Sequence, residues 1–125
     1  MALYDGFVPG RHLIDAYGGG GFRFAEMSHR GSILALPSGI KAWSPSRPRD
    51  LTPEDFAPVF AEAADIEVLL LGTGLEIVPP SEPLRWAFRD AGIGMEAMQT
   101  GAAARTYNIL VAENRRVAAA LIAVA

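Results

Sequence analysis

Apolar residues along this chain follow two rhythms. From residue 66 to residue 74 the sequence reads Ile-Glu-Val-Leu-Leu-Leu-Gly-Thr-Gly, a nearly unbroken apolar run closed by a glycine-bracketed threonine. A run of this length, rich in Leu and Val, predicts a strand over 66–71 buried on both faces. Residues 93–98 predict a second strand, with Ile93, Met95 and Ala97 on one face. Residues 117–124 predict a third. Its four alanines also suit a helix, but its length and the short polar turn at 113–116 favour a strand.

Between these strands the apolar period lengthens to that of a helix. Thr52-Pro53-Glu54-Asp55 is a start signal: a capping hydroxyl, proline at the first helical position, and two acids at the positive end of the dipole. Phe56, Val59, Phe60 and Ala63 then share a face, which predicts a helix over 53–63 that Pro58 kinks or delays. A second helix over 81–91 opens at Ser81-Glu82-Pro83 and stops at Gly92. Its apolar positions Leu84, Trp86, Ala87, Phe88 and Ala91 cover much of its circumference, so it is expected to be well buried. A third helix over 101–112 takes Thr100 as its cap.

The first third is different. Residues 1–10 form a short lead, expected to lie as an arm over the surface or to be loosely ordered. Residues 12–17 and Phe22-Arg23-Phe24 flank Gly18-Gly19-Gly20-Gly21, which reads as a hairpin with a glycine tip. Residues 31–36 predict a strand, Pro37-Ser38-Gly39 a turn, and residues 40–43 the returning strand. The segment 44–49, rich in Pro and Ser, is a connection too short to divide domains, and Pro79-Pro80 forces an extended piece. Strands followed by alternating helices and strands predict one α/β domain over 1–125. A sheet covered by helices has some parallel pairing, and the first third adds antiparallel strands to it or packs as a small second layer.

Composition sharpens this in a few places. The chain has 125 residues, half of them hydrophobic and a fifth charged, as expected of a globular domain. It has no cysteine, which excludes disulfide and thiolate chemistry. The net charge is −3, the isoelectric point is about 5.3, and the basic residues are scattered, so no nucleic-acid partner is expected. No apolar run approaches the ~20 residues of a membrane-spanning helix. The first residues lack a basic-then-apolar leader pattern, so a cytoplasmic protein is the expectation.

Three features carry candidate chemistry. At Gly72-Thr73-Gly74 a dinucleotide fingerprint would need glycine at position 77, where Ile77 stands ahead of Pro79-Pro80. The turn is either a tight exit from a core strand or a place where Thr73 offers its hydroxyl and nearby amides to an anion. The glycines at 18–21 lack the Lys-Ser/Thr and helix of a phosphate loop, and His12 and His29 stand in no ligand-spaced cluster, so no metal is expected. The third feature is the stretch from Glu96 to Asn108. Helical spacing puts Arg105, Asn108 and Ala112 on one face and turns Thr106 and Tyr107 toward another, with Ala103 and Leu110. Glu96, near the end of the preceding strand, can pair with Arg105. The stretch is either a structural ion pair with a tyrosine hydroxyl beside it, or an anion-binding or acid–base cluster with Arg105 as the binding group. If strands 66–71 and 93–98 lie parallel and adjacent, they end on one edge. Gly72, Thr73, Gly74, Glu96, Arg105 and Thr106 would then surround a common depression, with Tyr107 and Asn108 supporting its wall.

Leu-Leu-Leu-Gly-Thr-Gly at 69–74, Pro79, Gly92 before a strand, and Glu96-x-Met98-x-Thr100-x-x-Ala103-x-Arg105-Thr106-Tyr107-Asn108 resemble a family of small uncharacterised domains. That family includes the mitochondrial respiratory complex I (NADH dehydrogenase) assembly factor three, an adipogenesis-associated domain protein and many bacterial members. The resemblance runs from about residue 6 to residue 124. It implies a three-layer α/β fold, with a mixed central sheet flanked by helices and an additional antiparallel β layer. It implies no established catalytic activity, and no cofactor is expected. For the mitochondrial members it implies assembly of a membrane complex through protein partners. No transit peptide is evident, so the chain resembles the bacterial-type members. The leading expectation is a non-enzymatic interaction or assembly module with a protein partner, compatible with homo-oligomers. The alternative is a small-molecule or anion-binding domain, or weak enzyme, at the Gly72–Gly74 turn and Arg105.

Overall fold

The computed structural model describes residues 6–125. Among them, β1 (Phe7–Pro9), β5 (Ser32–Leu36), β6 (Gly39–Trp43), β7 (Val68–Gly72), β8 (Gly94–Met98) and β9 (Val117–Leu121) form one sheet in the order β1-β6-β5-β9-β7-β8. β7 pairs in parallel with β8 on one side and β9 on the other, while β9–β5, β5–β6 and β6–β1 are antiparallel. A separate antiparallel sheet holds β2 (Ala16–Gly18), β3 (Gly21–Phe24) and β4 (Met27–Arg30). The β-rich first third thus does both things open to it: it extends the main sheet and builds a second, smaller one.

Period-two alternation explains how the main sheet seats two cores. Leu34, Leu36, Leu69, Leu71, Ala118 and Ala120 point to one face. Ile33, Ala35, Leu70, Val117, Ala119 and Leu121 point to the other. Both faces are apolar because both are covered. The first face is covered by α1 (Ala57–Ala61), by the turn before it, and by α2 (Glu82–Ala91). There Trp43, Phe56, Phe60 and Phe88 stack edge-on or tilted, with ring centroids 5.3 Å (Trp43–Phe56), 5.1 Å (Phe56–Phe88) and 4.9 Å (Phe60–Phe88) apart. The second face carries α3 (Thr100–Ala112) and the small sheet, through Phe22, Phe24, Ala103, Ala104 and Tyr107. Alanines at 103, 104 and 119 let helix and sheet approach closely.

Several local expectations hold. The helix signal at Thr52 gives a 3₁₀ turn, Pro53–Phe56, before α1; the Asp55 carboxylate accepts the Thr52 N–H at 2.9 Å. Pro58 sits in the first turn of α1, where its missing N–H costs nothing, so the helix starts late rather than kinks. Ser81 caps α2 and Gly92, at φ +74°, ends it in the left-handed region.

Four expectations are corrected. The lead is not merely an arm: Phe7–Pro9 pairs with β6, and only residues 1–5 fall outside the described part. The strand expected over 12–17 is confined to Ala16–Gly18, because Ile14 gives its backbone N–H and carbonyl to Asn108 on α3 instead of to a neighbouring strand. The helix over 81–91 is not well buried. Only Leu84 and Phe88 are enclosed and Trp86 is 55% exposed, because α2 lies at the outer end of the sheet with no layer above it. Gln99, not Thr100, is the cap residue of α3, since the Thr100 hydroxyl turns toward the sheet.

Candidate functional site

The parallel pairing of β7 and β8 brings the Gly72–Gly74 turn and the start of α3 to the same edge of the sheet. Thr100 is completely buried there. Its Oγ1 donates to the Ile122 carbonyl at 2.7 Å and accepts the Gly74 N–H at 2.9 Å; the Thr100 N–H donates to the Gly74 carbonyl, also at 2.9 Å. Gly72 makes this approach possible. A Cβ at that position would stand 2.9 Å from the Thr100 Cα and 3.0 Å from a Leu121 methyl. Gly74 sits at φ +97°, which favours glycine on backbone grounds alone.

Thr73 is also buried, and its hydroxyl is spent on its own loop. Oγ1 donates to the Glu76 carbonyl at 2.6 Å and accepts the Val78 N–H at 3.0 Å. The Thr73 N–H donates to the Met98 carbonyl at 2.9 Å, and Gln99 Nε2 donates to the Leu75 carbonyl at 2.9 Å. The loop over 73–78 is therefore clasped at several backbone positions. It displays Leu75 and Ile77, which are 72% and 61% exposed.

The remaining candidates stand elsewhere. Arg105 is exposed and lines a hollow of about 360 Å³ with Asp15, Tyr17 and Asn108. Thr106 is half-buried on the same helix. Glu96 is exposed on β8 and, among the described residues, no ion pair joins it to Arg105; the pair that forms is Arg115–Glu67 at 2.9 Å, on the surface. Asn108 works as a strap. Its Oδ1 accepts the Ile14 N–H and its Nδ2 donates to the Ile14 carbonyl, both at 2.8 Å, so one side chain pins the segment ahead of β2 onto α3. Two structural contacts went unread in the sequence. Tyr17 lies so close over Gly101 that a Cβ there would meet its hydroxyl. Ser32, buried, accepts the Ala123 N–H at 3.0 Å. Glycine at position 101 of a helix start was the one local hint of the first.

Tyr107 is fully enclosed in the core, and its hydroxyl finds no hydrogen-bond partner among the described residues. Burial pushes its pKa above the ordinary value of 10.0, with nearby Arg11 opposing in part. Below that ordinary value the phenol is neutral in folded and unfolded chains alike. Above it the unfolded chain ionises first, so this residue's contribution to stability is lost as pH rises through the folded value. Tyr107→Phe, which removes a buried hydroxyl without a partner, should therefore have a urea midpoint at or above that of the wild type at neutral pH, and its advantage should grow above about pH 10. A difference that stays flat up to pH 11 would contradict this.

Fold and clasped edge together define a small mixed α/β domain whose interior polar side chains mostly serve its own backbone. The chain belongs to the family described as protein of unknown function (DUF498/DUF598), whose pattern matches residues 14–122. An uncharacterised protein of Rhodobacter capsulatus is 37% identical to it over 122 residues, covering 98% of this chain and 93% of that protein. The mouse protein named NADH dehydrogenase (ubiquinone) 1 alpha subcomplex assembly factor 3 is 30% identical over 122 residues, which are 98% of this chain; the chain spans 66% of that relative's length. A crystal structure of an outer membrane protein from Bartonella henselae matches with a TM-score of 0.90 and 53% identity, over 94% of this chain and 98% of that one. The resemblance carried by the segments at 69–74 and 96–108 is thus to the right family. Among the described residues, no helix is long and apolar enough to cross a membrane.

Proposed function

We propose that this domain is a protein-interaction module of the assembly-factor kind, which docks a partner at the edge where β7 and β8 end. The observation that carries this reading is the loop over 73–78. Its backbone is held by Thr73, Gln99 and Thr100, yet it holds Leu75 and Ile77 out into water. Large apolar side chains on a rigid support are the anchors that interfaces use, since little conformational freedom is lost when they are buried in a partner. The mouse relative's name, an assembly factor of NADH dehydrogenase, supports the same reading.

Leu75→Asp/Ile77→Asp is the test. Both side chains are exposed, so the double variant should unfold within about 0.5 kcal/mol of the wild type. Affinity capture from a lysate of the native host should retain a defined partner on the wild-type protein and lose it on the variant. Recovery of the same partners on both would reject the docking loop.

One observation favours a second reading, a small-anion site: Arg105 lines a hollow beside Tyr17 and Asn108. A thermal-shift panel of inorganic anions and nucleotides separates the two. Saturable stabilisation that disappears in Arg105→Ala would favour the anion site over the docking loop.

A further inference from the structure

β8 is the outermost strand of the main sheet on its side. In a parallel ladder a residue turns its N–H and its C=O toward the same neighbour. The Gly94 N–H donates to the Glu67 carbonyl at 3.0 Å, and the Met98 carbonyl accepts the Thr73 N–H at 2.9 Å. In this register Gly94, Glu96 and Met98 face β7, while Met95 and Ala97 turn their backbone groups to the open edge. Edges that must stay unpaired are usually blunted with lysine or proline. Gly94–Met98 carries neither; its one charged side chain, Glu96, is on the face away from α2.

Next to this edge α2 and β8 enclose a hollow of about 550 Å³, lined by Arg85, Phe88, Arg89, Ile93, Met95 and Ala97. Its floor is apolar: Phe88 and Ile93 are buried, and Met95 and Ala97 half-buried. Its rim is cationic. Arg85 and Arg89 stand one turn apart on α2, both exposed. Each is steered by a neighbour: Arg85 Nε donates to the Pro80 carbonyl at 3.3 Å, and the Arg89 guanidinium lies 5.1 Å from the centre of the Trp86 ring. Among the described residues neither has a carboxylate partner within ion-pair distance. Glu96, the acid at this hollow, is registered with Leu70 and so points to the opposite face from α2.

Building on the interaction-module reading, we propose that this groove takes an extended acidic segment of a partner protein, added to the main sheet as a seventh strand. The Met95 and Ala97 backbone groups supply the ladder. Alternate apolar side chains of the segment rest on Phe88 and Ile93, and its carboxylates reach Arg85 and Arg89. A second copy of this chain is the poorer occupant. Edge-to-edge docking about a two-fold axis would set α2 against its image and bring arginines to arginines.

The test is selection of peptides from an unbiased displayed dodecapeptide library on the full chain, followed by amide chemical-shift mapping. Selected peptides should be rich in Asp and Glu alternating with β-branched or aromatic residues, and should shift Met95 and Ala97. Arg85→Glu/Arg89→Glu, a surface change that leaves the fold intact, should weaken them at least tenfold. Ala97→Pro, which removes only an outward N–H, should do the same; if that variant fails to fold, N-methylation of the peptide backbone replaces it. Four outcomes overturn the proposal: no selected peptide, peptides without acidic character, binding unchanged by the arginine reversal, or concentration-dependent dimerisation that shifts Met95 and Ala97. Any of these leaves the Leu75–Ile77 docking loop standing, because that loop is tested by its own double variant.

Discussion

Phe56→Ala is expected to lower stability by about 3–5 kcal/mol, at the upper end for a core truncation. Phe56 is fully buried and makes edge-on contacts with both Trp43 and Phe88, so its ring joins β6, the segment before α1, and α2. Trp43 also donates from Nε1 to the Asp55 carbonyl at 2.8 Å, a bond that depends on the same packing. Three elements lose a shared contact, and β6 cannot move into the space without breaking its pairing with β5. For a chain of this size the melting temperature should fall by about 10–20 °C. Phe56→Leu, which keeps most of the volume, should cost well under half as much. A loss below about 1 kcal/mol for alanine would mean that the aromatic cluster does not hold this face together.

Thr100→Val is expected to cost about 2–4 kcal/mol although it conserves shape. The hydroxyl it removes answers two backbone groups at once, the half-buried Gly74 N–H and the buried Ile122 carbonyl. A methyl group in its place answers neither, and the close packing of Gly72 against Thr100 leaves no room for a compensating shift. Thr100→Ser keeps the hydroxyl and should recover most of the loss. Amide exchange at Gly74 reads the same effect locally, with protection reduced in the valine variant and retained in the serine variant. Equal stability of the two variants would show that the clasp contributes nothing.

The sequence made the main sheet and its helices legible because their signals are local. Leu69-Leu70-Leu71 and Val117 to Leu121 supply core to both faces, and an unbroken apolar run is how such strands appear in sequence. β4 was not legible. Ala25 and Glu26 make the β3–β4 turn at φ +49° and +61° without the Gly or Asn that normally marks such a turn. The exposure of α2 was hidden for a different reason: periodicity shows which residues are apolar, not which helix lies outermost. At the candidate site, the closeness of the Gly72–Gly74 turn to the start of α3 followed from two parallel strands ending together. What the side chains do there did not. A hydroxyl at a helix start reads as a cap whether it turns to its own helix or, as Thr100 does, to a carbonyl 22 residues away. Asn108 reaches Ile14 across 94 positions, a contact with no local trace. Thr73 and Asn108 are occupied with backbone. The sequence shows the Gly72–Gly74 turn as a tight exit or an anion contact, with no local sign that the loop beyond it displays Leu75 and Ile77.

The central claim is that the clasped loop is where this domain meets its partner. Site-specific photo-crosslinking in the native host tests it most directly, with p-benzoylphenylalanine placed at Ile77 and, as a control, at the exposed Ala64. One discrete crosslinked species is expected from position 77 and none from position 64. No product at 77, or the same products from both positions, would contradict it.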